Sequence, residues 1–302
     1  MHFEYTQKTK FFIVFLDNQN IYSMILIADA GSTKTRWVLV NNERMLIGKF
    51  ESAGLNPTVF DEETLSKNIA RNTQLLNYAG YIKEIYFYGS GLDDEESYKK
   101  MNKVLSELFD KAQINLYSDM LAAARATAGK ESGIISIIGT GSNSGFYDGE
   151  KYTETIGYFG YLLMDDASGN WFGKQLLRDY FYKKMPENIS KKFKQEYKID
   201  EKDILTKIYH KPQPNTFLAT FSPFMSKHYK SDYIKNLLTR GFTIFVEEQL
   251  SAYEQYRDVP LHFNGSIAYF FQKELLEVLK KNNLKVGKII QDPVEELIDY
   301  HL

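Results

Sequence analysis

The sequence predicts an α/β protein made of two similar halves with a cleft between them. Three observations carry that expectation. A strand, a glycine turn and two further strands follow in quick succession at 24–51, and the same unit recurs at 133–157. Alternating helices and strands follow each unit. A third glycine turn, "FNGSIA" at 263–268, joins a late strand to a helix. Repetition of a supersecondary unit constrains architecture more than any single element does. Two packed α/β halves also leave a crevice of the kind that ligands occupy.

The elements follow in order. "MILIAD" (24–29) reads as a strand, then "ADAGSTKTRWVLV" turns through glycine into a second strand at 35–41. An Asn-Asn turn leads to a third at 44–51, and connections this short favour an antiparallel meander. Residues 62–78 read as a helix, "EIYFYGSG" (84–91) as a buried strand and 95–112 as a helix. "INLYSD" (114–119) is a strand, and "MLAAARATAG" (120–129) is a helix stopped by Gly129. The theme then repeats as "GIISII" (133–138), "GTGSN" (139–143), "SGFYDG" (144–149) and "KYTETIG" (151–157). Residues 168–184 form an aromatic-rich helix, and 185–259 read as mainly helical with breaks at Pro212 and Pro214. A strand at 259–266, a helix from Ile267 to about Lys280, a strand at 285–290 and a closing helix at 293–302 complete the chain. Residues 1–23 lack clear periodicity, so Met24 is expected to be the natural first residue and the preceding segment an extension or a start-site artefact, with a real peripheral arm as the alternative.

Composition narrows the function. The 302 residues carry 37 basic and 39 acidic side chains, a net charge of −2, so no basic face invites nucleic acid. There is no cysteine, which removes disulfides, thiolate zinc sites and protein-ligated iron–sulfur clusters. The longest early apolar run, residues 11–16, is too short for a membrane span or a usual signal-peptide core. A cytoplasmic protein without a membrane partner is expected. The 22 tyrosines and 21 phenylalanines scatter along the chain and read as core packing.

Glycine turns bind oxyanions because their backbone N–H groups converge, and Ser and Thr hydroxyls add donors. The first turn supplies Gly31, Ser32, Thr33, Lys34 and Thr35, and the second Gly139, Thr140, Gly141 and Ser142. Taken alone, "GSTKT" also describes a hairpin turn with a solvated lysine, and it lacks the spacing and helix of a P-loop. Two such turns in duplicated halves would grip successive phosphates of one nucleotide across the cleft. The third, with Gly265 and Ser266, suits the adenosine end. Asp29, ending the first strand, is placed to hold Mg²⁺ directly or through water.

These motifs resemble the actin-like sugar kinase and heat-shock ATPase superfamily, most closely its branch of N-acetylglucosamine kinases and BadF/BadG activator-type ATPases. The resemblance runs from Met24 to the C-terminus. It is carried by "DAGSTKTRWVLV", "YSDMLAAARAT", "IIGTGSNSGFYDG", "GYFGYLLMDDASGNWFGKQLL" and "FNGSIA". It implies two ribonuclease-H-like (actin-like ATPase) lobes, each a mixed five-stranded sheet flanked by helices, with an interdomain cleft. The N-terminal lobe would comprise 24–130 plus 291–302, and the C-terminal lobe 131–290. The activator ATPases hold a cysteine-bound iron–sulfur cluster, which this chain cannot, so the kinase arm is preferred.

The activity so implied is transfer of a phosphoryl group from ATP, with Mg²⁺, to an amino sugar. N-acetylglucosamine, phosphorylated at its 6-hydroxyl, is the expected acceptor. A kinase for glucosamine or N-acetylmuramic acid, and a nucleotide-dependent regulator without sugar chemistry, stand as alternatives. Asp119 matches the family's catalytic aspartate, although Asp119 or Ser118, immediately before a helix, could also be merely its N-cap. Asp165 matches a sugar-binding aspartate; a solvated helix-capping pair with Asp166 is the plain alternative. Asn56 aligns with a sugar-contacting asparagine, or simply forms a turn before Pro57. Asn143 falls on the sugar side too. Gly157 and Phe159 stand where relatives carry a Gly/Trp pair; Phe159 keeps the flat face but loses the indole donor. The relatives' "GDEGS" is here Met164-Asp165-Asp166-Ala167-Ser168. His210, His228 and His262 show no metal-ligand spacing, and the Lys-rich stretch 183–202 reads as a solvated face. A homodimer is implied by the resemblance alone.

Overall fold

In the computed structural model, which describes residues 23–31, 33–153 and 156–302, the chain opens as an antiparallel meander. Its strands are β1 (Met24–Ala30), β2 (Lys34–Asn41) and β3 (Leu46–Ala53). The stretch before residue 23, expected to be an extension, lies outside the described residues, as does Ser32. α1 (Glu62–Ala70) begins at Asp61, whose side chain accepts from the Thr64 amide. α2 (Thr73–Leu76) begins anew at Asn72, whose side chain accepts from the Leu75 amide. The single helix expected at 62–78 is therefore broken, because an asparagine side chain competes for backbone donors. β4 (Ile82–Gly89) runs parallel to β1. α3 (Glu95–Leu108), started by a capping box between Asp94 and Ser97, crosses over to β5 (Gln113–Ser118). The five strands lie in the order β3-β2-β1-β4-β5, and α4 (Asp119–Thr127) follows at once.

The second half repeats this strand for strand. β6 (Gly133–Ile138), β7 (Ser142–Tyr147) and β8 (Tyr152–Thr153) form the meander. A helical insertion follows: α5 (Gly160–Leu163), α6 (Gly169–Phe181), α7 (Glu187–Tyr197), α8 (Glu201–Tyr209), α9 (Pro214–Ala219), α10 (Pro223–Lys227) and α11 (Asp232–Ile244). α11 runs on into a π turn at Phe245–Gln249. β9 (Leu261–Asn264) pairs parallel with β6, then come α12 (Ser266–Phe270), α13 (Gln272–Lys281), β10 (Val286–Ile290) and α14 (Glu296–His301). The order β8-β7-β6-β9-β10 matches the first sheet, so the two-lobed actin-like architecture expected from the sequence is the one observed. Two boundaries differ. Among the described residues the third strand of this half spans only 152–153, and the helix expected at 267–280 is interrupted at Phe271.

Alternation along the strands decides what each face meets. Met24, Leu26 and Ala28 pack with Ile69, Met101 and Leu105 from the α1/α3 side. Ile25, Ile27, Val38 and Val40 face the other way, onto Ala122 and Ala126 of α4 and Leu297 of α14. Met120, Ala123 and Ala124, also on α4, pack instead with Ile135 and Tyr147 of the second sheet. α4 is thus wedged between the sheets, and its alanines let both approach closely. The second half has an aromatic core that includes Phe172, Phe193, Phe224, Phe242 and Phe245, all fully buried. No helix among the described residues is long and apolar enough to cross a membrane.

Candidate active site

The β1–β2 turn is closed by the Gly31 amide, which donates to the Lys34 carbonyl at 3.0 Å. It is clamped from the side: Gly54 and Leu55 donate to the Thr33 and Gly31 carbonyls at 3.0 and 3.3 Å. Thr33 is exposed, whereas Thr35 is buried with its hydroxyl on the Ala53 carbonyl at 3.2 Å. Lys34 forms an ion pair with Glu51 of β3. Thr35 and Lys34 therefore tie β2 to β3, and among the described residues of the turn Thr33 presents an exposed hydroxyl.

The β6–β7 turn is closed by the Gly139 amide donating to the Gly141 carbonyl at 2.9 Å. The start of α6 braces it, with Gly169 and Asn170 amides donating to the Gly139 and Thr140 carbonyls at 2.7 and 3.0 Å. Thr140 is exposed, Ser142 is buried with its hydroxyl on the Asp166 carbonyl, and a side chain added at Gly139 would enter open space. Gly265, at the third turn, has φ 119°, and a Cβ there would lie 2.5 Å from the Ile138 carbonyl oxygen and 3.1 Å from the Gly139 nitrogen. Only glycine allows the second and third turns to touch. The Gly265 amide donates to the Ile290 carbonyl at 3.0 Å, and two residues later Asp292 pairs with Arg36 of β2 at 2.7 Å. This segment ties the third turn to the first sheet, beside Asp29.

Asp29 is the penultimate residue of β1, on the face that α4 covers. Burial first, then the charges of Asp119 and Asp292, push its carboxyl from 3.8 up to about 7, with Arg36 opposing. A desolvated acid beside two others is short of positive charge, which fits a site for a divalent cation. Among the described residues no three His, Cys, Asp or Glu side chains converge as a ready metal cage. Mg²⁺ would then arrive with phosphate oxygens and water as most of its ligands, as is usual for that ion. Asp119 is the first residue of α4, and the cap is Ser118, whose hydroxyl accepts from the Leu121 amide at 3.4 Å. The capping role considered for Asp119 belongs to its neighbour.

On the sugar side, Asn56 is nearly buried, and its Oδ1 accepts from the Thr58 amide and hydroxyl at 2.9 and 2.7 Å. Gly91 (φ 76°) passes so close that a Cβ would lie 2.2 Å from that oxygen. Asp165 has no exposed surface. Its Oδ1 accepts from the Ser142 amide at 2.9 Å and its Oδ2 from Asn170 Nδ2 at 2.6 Å. Burial raises its pKa, while these bonds pull the other way. The solvated acidic pair does not form, since buried Asp165 braces the phosphate turn and the half-buried Asp166 accepts the Ser142 hydroxyl on its backbone carbonyl. Asn143 lies in β7 with its Oδ1 accepting from the Ser144 amide at 2.8 Å. Gly157 and Phe159 sit on an exposed segment. His228 packs on Phe224, and His262 Nδ1 accepts from the Lys288 amide, so both have structural duties.

Three residues of this region escaped the sequence reading. Asn170 opens α6, where "DDASGN" announces a helix start. Asp292, in "QDP", had the signal of an acid between a strand and a proline. Gln249 gave none, because the π turn that delivers it sits in what reads as ordinary helix. Two hollows on the outer surface, about 240 Å³ beside Tyr197 and Phe217 and about 480 Å³ beside Glu62 and Lys103, contain none of these groups.

The duplicated sheets, each with a glycine turn after its first strand, define the class of actin-like sugar kinases, and comparison with solved structures agrees. A candidate N-acetylglucosamine kinase from Porphyromonas gingivalis is 36% identical, with a TM-score of 0.86 over 92% of this chain and 98% of that one. The chain belongs to the N-acetylglucosamine kinase family of that class. A second candidate N-acetylglucosamine kinase, from Chromobacterium violaceum, is 16% identical with a TM-score of 0.68 over 92% of this chain and 99% of that one. A ROK-family glucokinase from Streptomyces griseus, in complex with glucose and AMPPNP, is 11% identical with a TM-score of 0.55 over 92% and 97%. These two share the fold. No protein-family model matches the chain, and no curated protein matches it.

Proposed function

We propose that the protein transfers the γ-phosphoryl group of ATP to the 6-hydroxyl of N-acetylglucosamine. The observation that carries this is the position of Asp119. It begins the helix wedged between the two sheets, directly after β5 and at the sheet edge where β1 and β4 end. The name of the Porphyromonas relative supports the choice of sugar.

In this reading the turns at 31–35 and 139–143 hold successive phosphates, and Gly265 and Ser266 face the adenosine. Asn56, Asn143, Gly157, Phe159 and Asp165 belong to the sugar side. Asp29 would hold Mg²⁺, directly or through water, and the ion would neutralise charge on the phosphoryl oxygens. Asp119 takes the proton of the sugar hydroxyl as its oxygen bonds to the γ-phosphorus. The bond from that phosphorus to the bridging oxygen breaks, and ADP leaves with the electron pair. Closure of the lobes excludes water that would otherwise consume ATP. A cytoplasmic enzyme working on small molecules, as a homodimer, completes the proposal.

An assay of ADP release against a panel of hexoses and hexosamines tests it. N-acetylglucosamine is expected to give the highest kcat/KM, with the product's phosphorus coupled to C6 by NMR. Preference for glucosamine or N-acetylmuramic acid would move the assignment to that sugar, and sugar-independent hydrolysis would favour a regulator. Asp119→Asn is expected to lower turnover by about 10²–10⁴. Its melting temperature should stay unchanged, because Ser118 keeps the cap.

A further inference from the structure

Asn170, the second residue of α6, is buried at 1% exposure and holds the second glycine turn at two points. Its amide and its Nδ2 both donate to the Thr140 carbonyl, at 3.0 and 2.9 Å. Nδ2 donates again, to Asp165 Oδ2 at 2.6 Å, and Asp165 Oδ1 accepts from the Ser142 amide at 2.9 Å. Thr140 and Ser142 are thus joined through two buried side chains, which close a ring around Gly141. The ring is tight: a Cβ at Gly141 would lie 2.9 and 3.1 Å from the two Asp165 carboxylate oxygens. It is also costly. Asn170 Oδ1 is buried and finds no partner among the described residues. Asp165 and Ala167 hold φ of 67° and 58°, a region that residues other than glycine avoid. Buried unpaired atoms and strained backbone gather where the surrounding structure has a use for them.

We infer that Asn170 is a positioning residue for the nucleotide: with Asp165 it fixes the 139–143 turn in the shape that receives phosphate. The next residues of α6, Trp171 and Phe172, are anchored in the aromatic core, so the turn takes on the rigidity of a helix. A turn ordered before its ligand arrives has less freedom to lose on binding. A carboxamide suits the task, because one Nδ2 carries two hydrogens and serves two acceptors at once. The inference rests on the reading above that residues 139–143 hold phosphate.

Calorimetry of the full-length protein with a non-hydrolysable ATP analogue and Mg²⁺, without sugar, provides the test, beside steady-state kinetics. Asn170→Ala is expected to raise the Kd for the analogue by about 10-fold, the scale of one lost hydrogen bond to a charged group. The ATP KM should rise with it, and the KM for N-acetylglucosamine should change far less. Neither Kd nor KM depends on how much of a sample is folded. A purely structural role would therefore lower the melting temperature and the amount of active protein while leaving both constants as they were, and that result overturns the inference. Asp165→Asn should also weaken the analogue. The double variant should lose well short of the product of the two single losses, because the residues act as one unit; losses that multiply overturn the inference too. Should Asn170→Ala not fold, Asn170→Ser, too short to reach both acceptors, takes its place. Failure of the unmodified protein to bind the analogue would instead bring down the kinase reading, and it is seen before any variant is made.

Discussion

Asp29 titrates at about 7 rather than 3.8 because burial and the charges of Asp119 and Asp292 disfavour its ionised form. The folded chain thus holds this proton more tightly than the unfolded chain. The resulting stability is complete below about pH 3.8 and is lost as pH rises through about 7. Asp29→Asn is accordingly expected to melt above the unmodified protein at pH 8, by up to about 4 kcal/mol in stability. The two should converge as pH falls toward 4, and melting curves in EDTA across that range provide the check; parallel curves would contradict it. Activity should fall in the same variant. Ala167 poses a different problem: fully buried with φ 58°, it occupies a conformation that suits glycine. Ala167→Gly should leave stability within about 1 kcal/mol, since relief of strain offsets added freedom in the unfolded chain. Ala167→Val should cost about 2 kcal/mol or more, because a β-branched side chain fits that φ poorly. Denaturant titration of both variants separates these outcomes.

At the scale of elements, α4 links architecture to chemistry. Ala122 and Ala126 face the first sheet, and Ala123 and Ala124 the second, so there is little room for a larger side chain. Ala123→Leu is expected to cost about 1–3 kcal/mol by overpacking. It should also reduce kcat, because Asp119 rides on the same helix, and an active, stable Ala123→Leu protein would argue against the wedge. The helix itself was legible in "MLAAARATAG", as were the three glycine turns, because propensity and the need for glycine are local. Its place between two sheets was not legible, since that depends on partners distant in sequence. The break at Asn72 was missed because an asparagine side chain there outcompetes helical periodicity. Gln249 went unseen for a related reason: a π turn shifts register without altering composition, and Ser142, which accepts from it, lies 107 residues away.

For the whole molecule, the C-terminal helix closes the first lobe. His301 stacks on Tyr86 at 3.7 Å and shares a hydrogen bond with the Tyr88 hydroxyl at 2.8 Å. Burial, and then the charge of Arg125, lower its pKa from 6.5 to about 4. The stability it confers is therefore full above about pH 6.5 and is lost as pH falls through about 4. His301→Gln, which removes the titration but keeps a hydrogen-bonding group, should flatten the acid side of the stability profile; an identical profile would contradict this. Everything about the chemistry depends on the duplicated lobes bringing their glycine turns to one nucleotide. Amide hydrogen exchange with and without a non-hydrolysable ATP analogue and Mg²⁺ measures this directly. Residues 31–35, 139–143 and 265–268 should become protected together, at the same nucleotide concentration. Protection confined to one turn, or to none, would contradict the account.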